Sequence, residues 1–154
     1  MGTDGYLRRL RRGHDIEVQG EAVYAAAAHA SRSPQRKRQW DALRRLETVT
    51  KLKLADVLAG SGSPAHEAAW ARWSGQLVGV VAALLPWSAT MWVLHRITEH
   101  TGRLWERMER EADGRNAELH AFLIVHERAQ YDFAEHELRG ESARSLDSVL
   151  ALLA

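Results

Sequence analysis

An all-α fold is what the sequence predicts, on three observations. Apolar residues recur at steps of three and four over most of the chain, the spacing that stacks side chains on one helix face. Alanine and leucine are plentiful, and no stretch shows the sustained apolar/polar alternation of a half-buried strand. Serine followed by proline occurs at Ser33-Pro34 and again at Ser63-Pro64, where serine can cap a helix and proline can open it.

The elements follow in order. A first helix is expected from about Asp15 to His29, with the apolar line Ile16, Gly20, Val23, Ala27 and Ala30. Ser33 and Pro34 start a second that runs to about Ala59, on the stripe Trp40, Leu43, Thr50, Leu54 and Val57. The turn from Gly60 to Pro64 precedes a third helix carrying Trp70, Trp73, Leu77 and Val80. Pro86 must break or kink it. A fourth helix is expected from about Ser88 to Ala112, with the core line Val93, Ile97, Leu104 and Met108. Asp113-Gly114 ends it, a fifth helix runs from about Asn116 to Leu138, and Gly140 stops that one. The tail from Ser145 to Leu153 adds a short amphipathic turn.

Composition sets bounds. A chain of 154 residues with 45% hydrophobic and 27% charged residues reads as a single helical domain over residues 1–154, with a core of its own. The net charge of +1 gives no general attraction to nucleic acid, and no aromatic-plus-basic motif reads bases, so nucleic acid is not expected as a partner. Cysteine is absent, which excludes disulfides, thiolate metal sites and cysteine nucleophiles. Arg8, Arg9, Arg11 and Arg12 are not followed by an apolar run and cleavage site, so a secretory signal is not expected and a cytoplasmic location is. No Gly-x-Ser-x-Gly elbow or phosphate loop occurs, and His14-x-x-Glu17 is too short a motif to mean zinc.

The segment from Trp73 to Leu94 holds no charged residue and is long enough to cross a bilayer if it were one helix. Gly75, Gly79 and the central Pro86 divide it, which favours a buried helix followed by the start of another. Its alternative is peripheral membrane contact through residues 70–92, with Trp87 and Trp92 at the lipid surface.

Carboxylates in apolar stripes are the chemical signal. Glu47 lies in the middle of the second helix's stripe, and an acid there must be paired, protonated or metal-bound. Arg44 and Lys51 stand three residues before and four after it, positioned for intrahelical ion pairs. Glu127 sits among Leu123, Ile124, Tyr131, Ala134 and Leu138, with no cation one turn away, so its partner must come from another helix or a metal. On the first helix Glu17 is the inward candidate and Glu21 lies further out. His100 and Thr101 are expected to point inward from the fourth helix, and His126 stands at the edge of the fifth helix's apolar arc.

Several helices with inward glutamates, and a hydrophobic crossover between the second and fourth, resemble the ferritin-like superfamily of carboxylate-bridged di-iron proteins. The runs EVQGEAVYAAAA from Glu17 and RRLETVTKLKLADVLA from Arg44 are similar to ligand helices of its rubrerythrin-like members. The resemblance implies a four-helix bundle with an extra hydrophobic crossover helix. It also implies iron or manganese held by Glu17, Glu47 and Glu127 with a histidine, His100 or His126, and an oxidoreductase or metal-handling activity. The superfamily's Glu-x-x-His motif is absent: Thr50 follows Glu47 at that position and Gln130 follows Glu127. A metal-free bundle is the alternative, with Lys51 as a fixed positive charge. It would act as an interaction protein or at a membrane surface, with a homo-oligomer among its assemblies.

Overall fold

A computed structural model describes residues 2–154. Six helices and no strand occur among these residues: α1 (Thr3–Ala30), α2 (Pro34–Gly60), α3 (Ala69–Leu84), α4 (Trp87–Ala112), α5 (Ala117–Leu138) and α6 (Asp147–Leu153). The chain divides into two compact units, residues 1–83 and 84–154.

In the first unit, α1 and α2 form an antiparallel hairpin across a three-residue link. Ser33 caps α2 by accepting from the Arg36 amide at 3.4 Å, and Pro34 opens it. Replacing Ser33 by Ala should lower stability by about 1 kcal/mol, read as a shift in the thermal midpoint. Trp40, Leu43, Leu46, Leu54 and Leu58 are buried on α2, and Trp40 stacks on Tyr24 of α1 with ring centroids 5.6 Å apart.

Helix α1 starts twelve residues before the expected Asp15. Tyr6, Leu10, His14 and Glu17 line one buried face at steps of four, four and three, while the arginine pairs between them face solvent. The expected apolar line of α1 is corrected: Ile16 is 40% exposed, whereas Val18 and Tyr24 are buried. Ala27 is nevertheless fully buried and Gly20 faces Glu47 of α2, so the expected line fails at its Ile16 end.

Helix α3 lies parallel to α1. Gly75 approaches the Gln19 carbonyl and Ala22, and Gly79 approaches the Val23 carbonyl and Ala26, so a Cβ at either glycine would run into backbone. Two small residues one turn apart permit this close approach. Ser74 adds a hydroxyl that accepts from Gln19 Nε2 at 2.9 Å. The helix begins five residues after Pro64 because Glu67, in the connecting loop, reaches back to Lys51 at 2.7 Å.

Pro86 separates α3 from α4. Its ψ of 136° places it at the N-cap of α4, so the apolar segment is two helices and not one kinked helix. No described helix is long and apolar enough to cross a membrane.

In the second unit, α4 and α5 form another antiparallel hairpin, with α6 against α5. Asp113, Gly114 and Asn116 make the reversal with positive φ angles of 53°, 77° and 51°. Gly140, at φ 76°, ends α5 where expected. The buried face of α4 is Met91, Thr98, Trp105 and Ala112, spaced by seven, with Met108 beside it. This corrects the expected core line, since Val93 is 43%, Ile97 56% and Leu104 44% exposed. The indole of Trp105 goes toward α5, and Thr98 tolerates burial because its hydroxyl donates to the Leu94 carbonyl at 3.0 Å.

Candidate functional site

The first unit brings together two of the sequence-predicted carboxylates. Glu17 projects from α1 and Glu47 from α2, both almost wholly buried, at 1% and 4% exposure. An oxygen of one carboxylate lies within 4.8 Å of an oxygen of the other. Room for this arrangement comes from Gly20, one turn after Glu17: a Cβ there would stand 2.6 Å from Glu47 Oε2. Two carboxylates this close repel when both are ionised, and a bound cation or a shared proton removes the repulsion.

One turn along the hairpin lies a separate ion-pair layer. Lys51 Nζ donates to Glu21 at 2.5 Å and to Glu67 at 2.7 Å, Thr48 donates to Glu21 at 2.5 Å, and Arg72 pairs with Glu67. Burial works against the charges on Lys51 and Glu21, but the hydrogen bonds between them, and the one from Thr48, outweigh it. Lys51 is therefore held above the ordinary lysine pKa and Glu21 below the ordinary glutamate value. Hydrogen bonds from Lys51 and Arg72 hold Glu67 low as well. Lys51, expected as an intrahelical partner of Glu47, is directed instead at Glu21 and Glu67. Arg44 reaches Asp41 at 3.7 Å.

In the second unit Glu127 is 6% exposed, and Trp105 Nε1 of α4 donates to its Oε1 at 3.3 Å. This is a partner from another helix, as its apolar neighbours on α5 required. Glu127 also lines a surface cleft of about 290 Å³ with Thr98, Gly102 and Tyr131. The adjacent His126 is 1% exposed, and its Nε2 lies 2.8 Å from Gln130 Nε2. Since the amide nitrogen donates, Nε2 of the imidazole accepts and the ring is neutral. Burial pushes His126 down to about 3, and burial also lowers His14 and His120.

His100 is corrected. It lies on the exposed face of α4 with Ile97 and Leu104, and Thr101 is half-buried with its hydroxyl donating to the Ile97 carbonyl at 3.0 Å. The opposite face of α5 is a solvated surface with Arg128–Asp132 and Glu135–Arg139 ion pairs at 2.9 and 2.8 Å.

Sequence reasoning missed Trp105 and Glu67, and it missed the roles of Gly20 and Gln130. Gly20 carried a signal, a glycine inside a helix and one turn from a buried acid. Glu67 carried none, because loop residues have no periodicity to reveal their direction. Compared with known protein families, with characterised proteins and with solved structures, the chain has no match.

Proposed function

We propose that this protein is a divergent ferritin-like metal protein in which Glu17 and Glu47 hold a divalent iron or manganese ion. The observation that carries the proposal is the buried carboxylate pair, with oxygens within 4.8 Å and a glycine at the place a Cβ would fill. Carboxylate oxygens are the donors that hard divalent cations prefer. Support from the chain order is coarser: two antiparallel helical hairpins with the hydrophobic α3 between them in sequence. A bound ion would supply Lewis acidity and one-electron exchange. The chain's own contribution is to bury the two carboxylates, align them across α1 and α2, and exclude bulk water from them.

The test is an anaerobic titration of purified protein with iron(II) and then manganese(II), followed by washing and elemental analysis. Near-stoichiometric metal is expected, with affinity at least tenfold weaker in Glu17→Gln and in Glu47→Gln. Glu127→Gln and His126→Ala are titrated alongside, because both residues are in the ligand set that the resemblance implies. Retention of metal by both Glu17→Gln and Glu47→Gln would sink the proposal.

A second reading, a metal-free protein acting through an interaction surface, is favoured by one observation. Trp70 and Trp73 on α3 are 60% and 68% exposed. Absence of any metal after the titration would leave this reading in place.

A further inference from the structure

Helix α3 is amphipathic in an unusual sense. The side facing α1 is built from Ala71, Gly75 and Gly79, which are buried, while its large side chains face away. Trp70, Trp73, Leu77, Val80 and Leu84 are exposed by 60%, 68%, 56%, 44% and 78%. Their spacing is three, four, three and four, the heptad seam of a helix that packs knobs-into-holes against another helix.

We propose that this seam is a dimerisation surface and that its occupant is α3 of a second copy of the chain. Three features select that occupant. The residues flanking the seam are Ala69, Ser74, Gln76, Val81 and Ala83, so a symmetric contact sets no like charges against each other. The seam with Val81 exposes on the order of 700 Å², close to one side of a standard-sized interface. A helix lying on a lipid surface presents a cationic polar face opposite its apolar one. Here the face opposite is the glycine stripe covered by α1, and the helix's one charge, Arg72, is paired with Glu67. Dimerisation through α3 does not depend on metal binding at Glu17 and Glu47.

The experiment is sedimentation equilibrium of the full chain from low to high micromolar concentration. A mass twice the 17.3 kDa of the chain is expected. Leu77→Lys, which places a charge in the seam at an exposed position, should halve the mass and weaken association at least a hundredfold, with helical circular dichroism unchanged. The chain has no cysteine. Leu77→Cys should therefore cross-link to a covalent dimer with a short bis-maleimide, and Arg8→Cys, off the seam, should not; this decides the matter if the lysine variant misfolds. A wild-type monomer at high micromolar concentration overturns the proposal, as does a dimer that persists in well-folded Leu77→Lys. So does a monomer that sediments with phosphatidylcholine–phosphatidylglycerol vesicles and loses them on Leu77→Lys.

Discussion

Acidification of the metal-free protein should begin to lower its stability near pH 6.5, well above the pH at which surface carboxylates protonate. His126 is the principal cause. Its imidazole is buried and neutral, and its pKa falls from the ordinary 6.5 to about 3. A lowered folded pKa means that the unfolded chain binds the proton more readily, so stability is intact above pH 6.5 and declines as pH falls toward 3. The loss is about 1.4 kcal/mol per pH unit in that window, reaching about 5 kcal/mol at its end. That is a large part of the stability of a small domain. His14 and His120, lowered chiefly by burial, act with the same sign. Glu21 and Glu67, held low by their hydrogen bonds to Lys51, add their loss only below about pH 4.5. Urea midpoints measured from pH 7.5 to 4 should trace the decline. His126→Asn, which cannot take up the proton, should flatten it at a cost in stability at neutral pH. A curve of unchanged slope in that variant would move the responsibility to other groups.

The second large effect concerns two glycines that look alike in sequence and differ in what faces them. Gly79→Val should destabilise the first unit by about 3 kcal/mol, because its Cβ meets the Val23 carbonyl and Ala26, and backbone cannot move aside without parting α3 from α1. Denaturant titration reads the loss. Faster trypsin cleavage at Arg72, with the native hairpin of α1 and α2 retained, locates it at α3. Gly20→Ala should behave differently. Its Cβ meets the carboxylate end of Glu47, a flexible group that can swing away, and alanine gains about 1 kcal/mol of helix propensity over glycine. Stability should therefore change little. Any metal affinity that depends on the Glu17–Glu47 pair should fall at least tenfold, although both ligands remain chemically intact. Unaltered metal binding in Gly20→Ala would separate the glycine from the site.

The helical class and most of the helix boundaries are legible in residue type alone. Three- and four-residue periodicity, a serine cap before Pro34, the break at Pro86 and the stop at Gly140 are local properties, set by backbone geometry and read directly from residue type. Burial of Glu47 and Glu127 was also legible, because each stands amid an apolar stripe that faces inward, whereas Glu17 is buried although Ile16 beside it turns to solvent. Tertiary structure decided which apolar stripe faces the core when a helix has two. On α4 the line through Val93, Ile97 and Leu104 is the more hydrophobic, yet α5 takes the face carrying Thr98 and Trp105 because the indole reaches Glu127. On α3 the large side chains face out, because only glycine and alanine let its backbone meet that of α1. The meeting of Glu17 with Glu47, and of Lys51 with Glu21 and Glu67, is likewise a matter of register between segments far apart in the chain. Periodicity fixes the face of a single helix; the partner of that face is fixed only when two surfaces compete for burial.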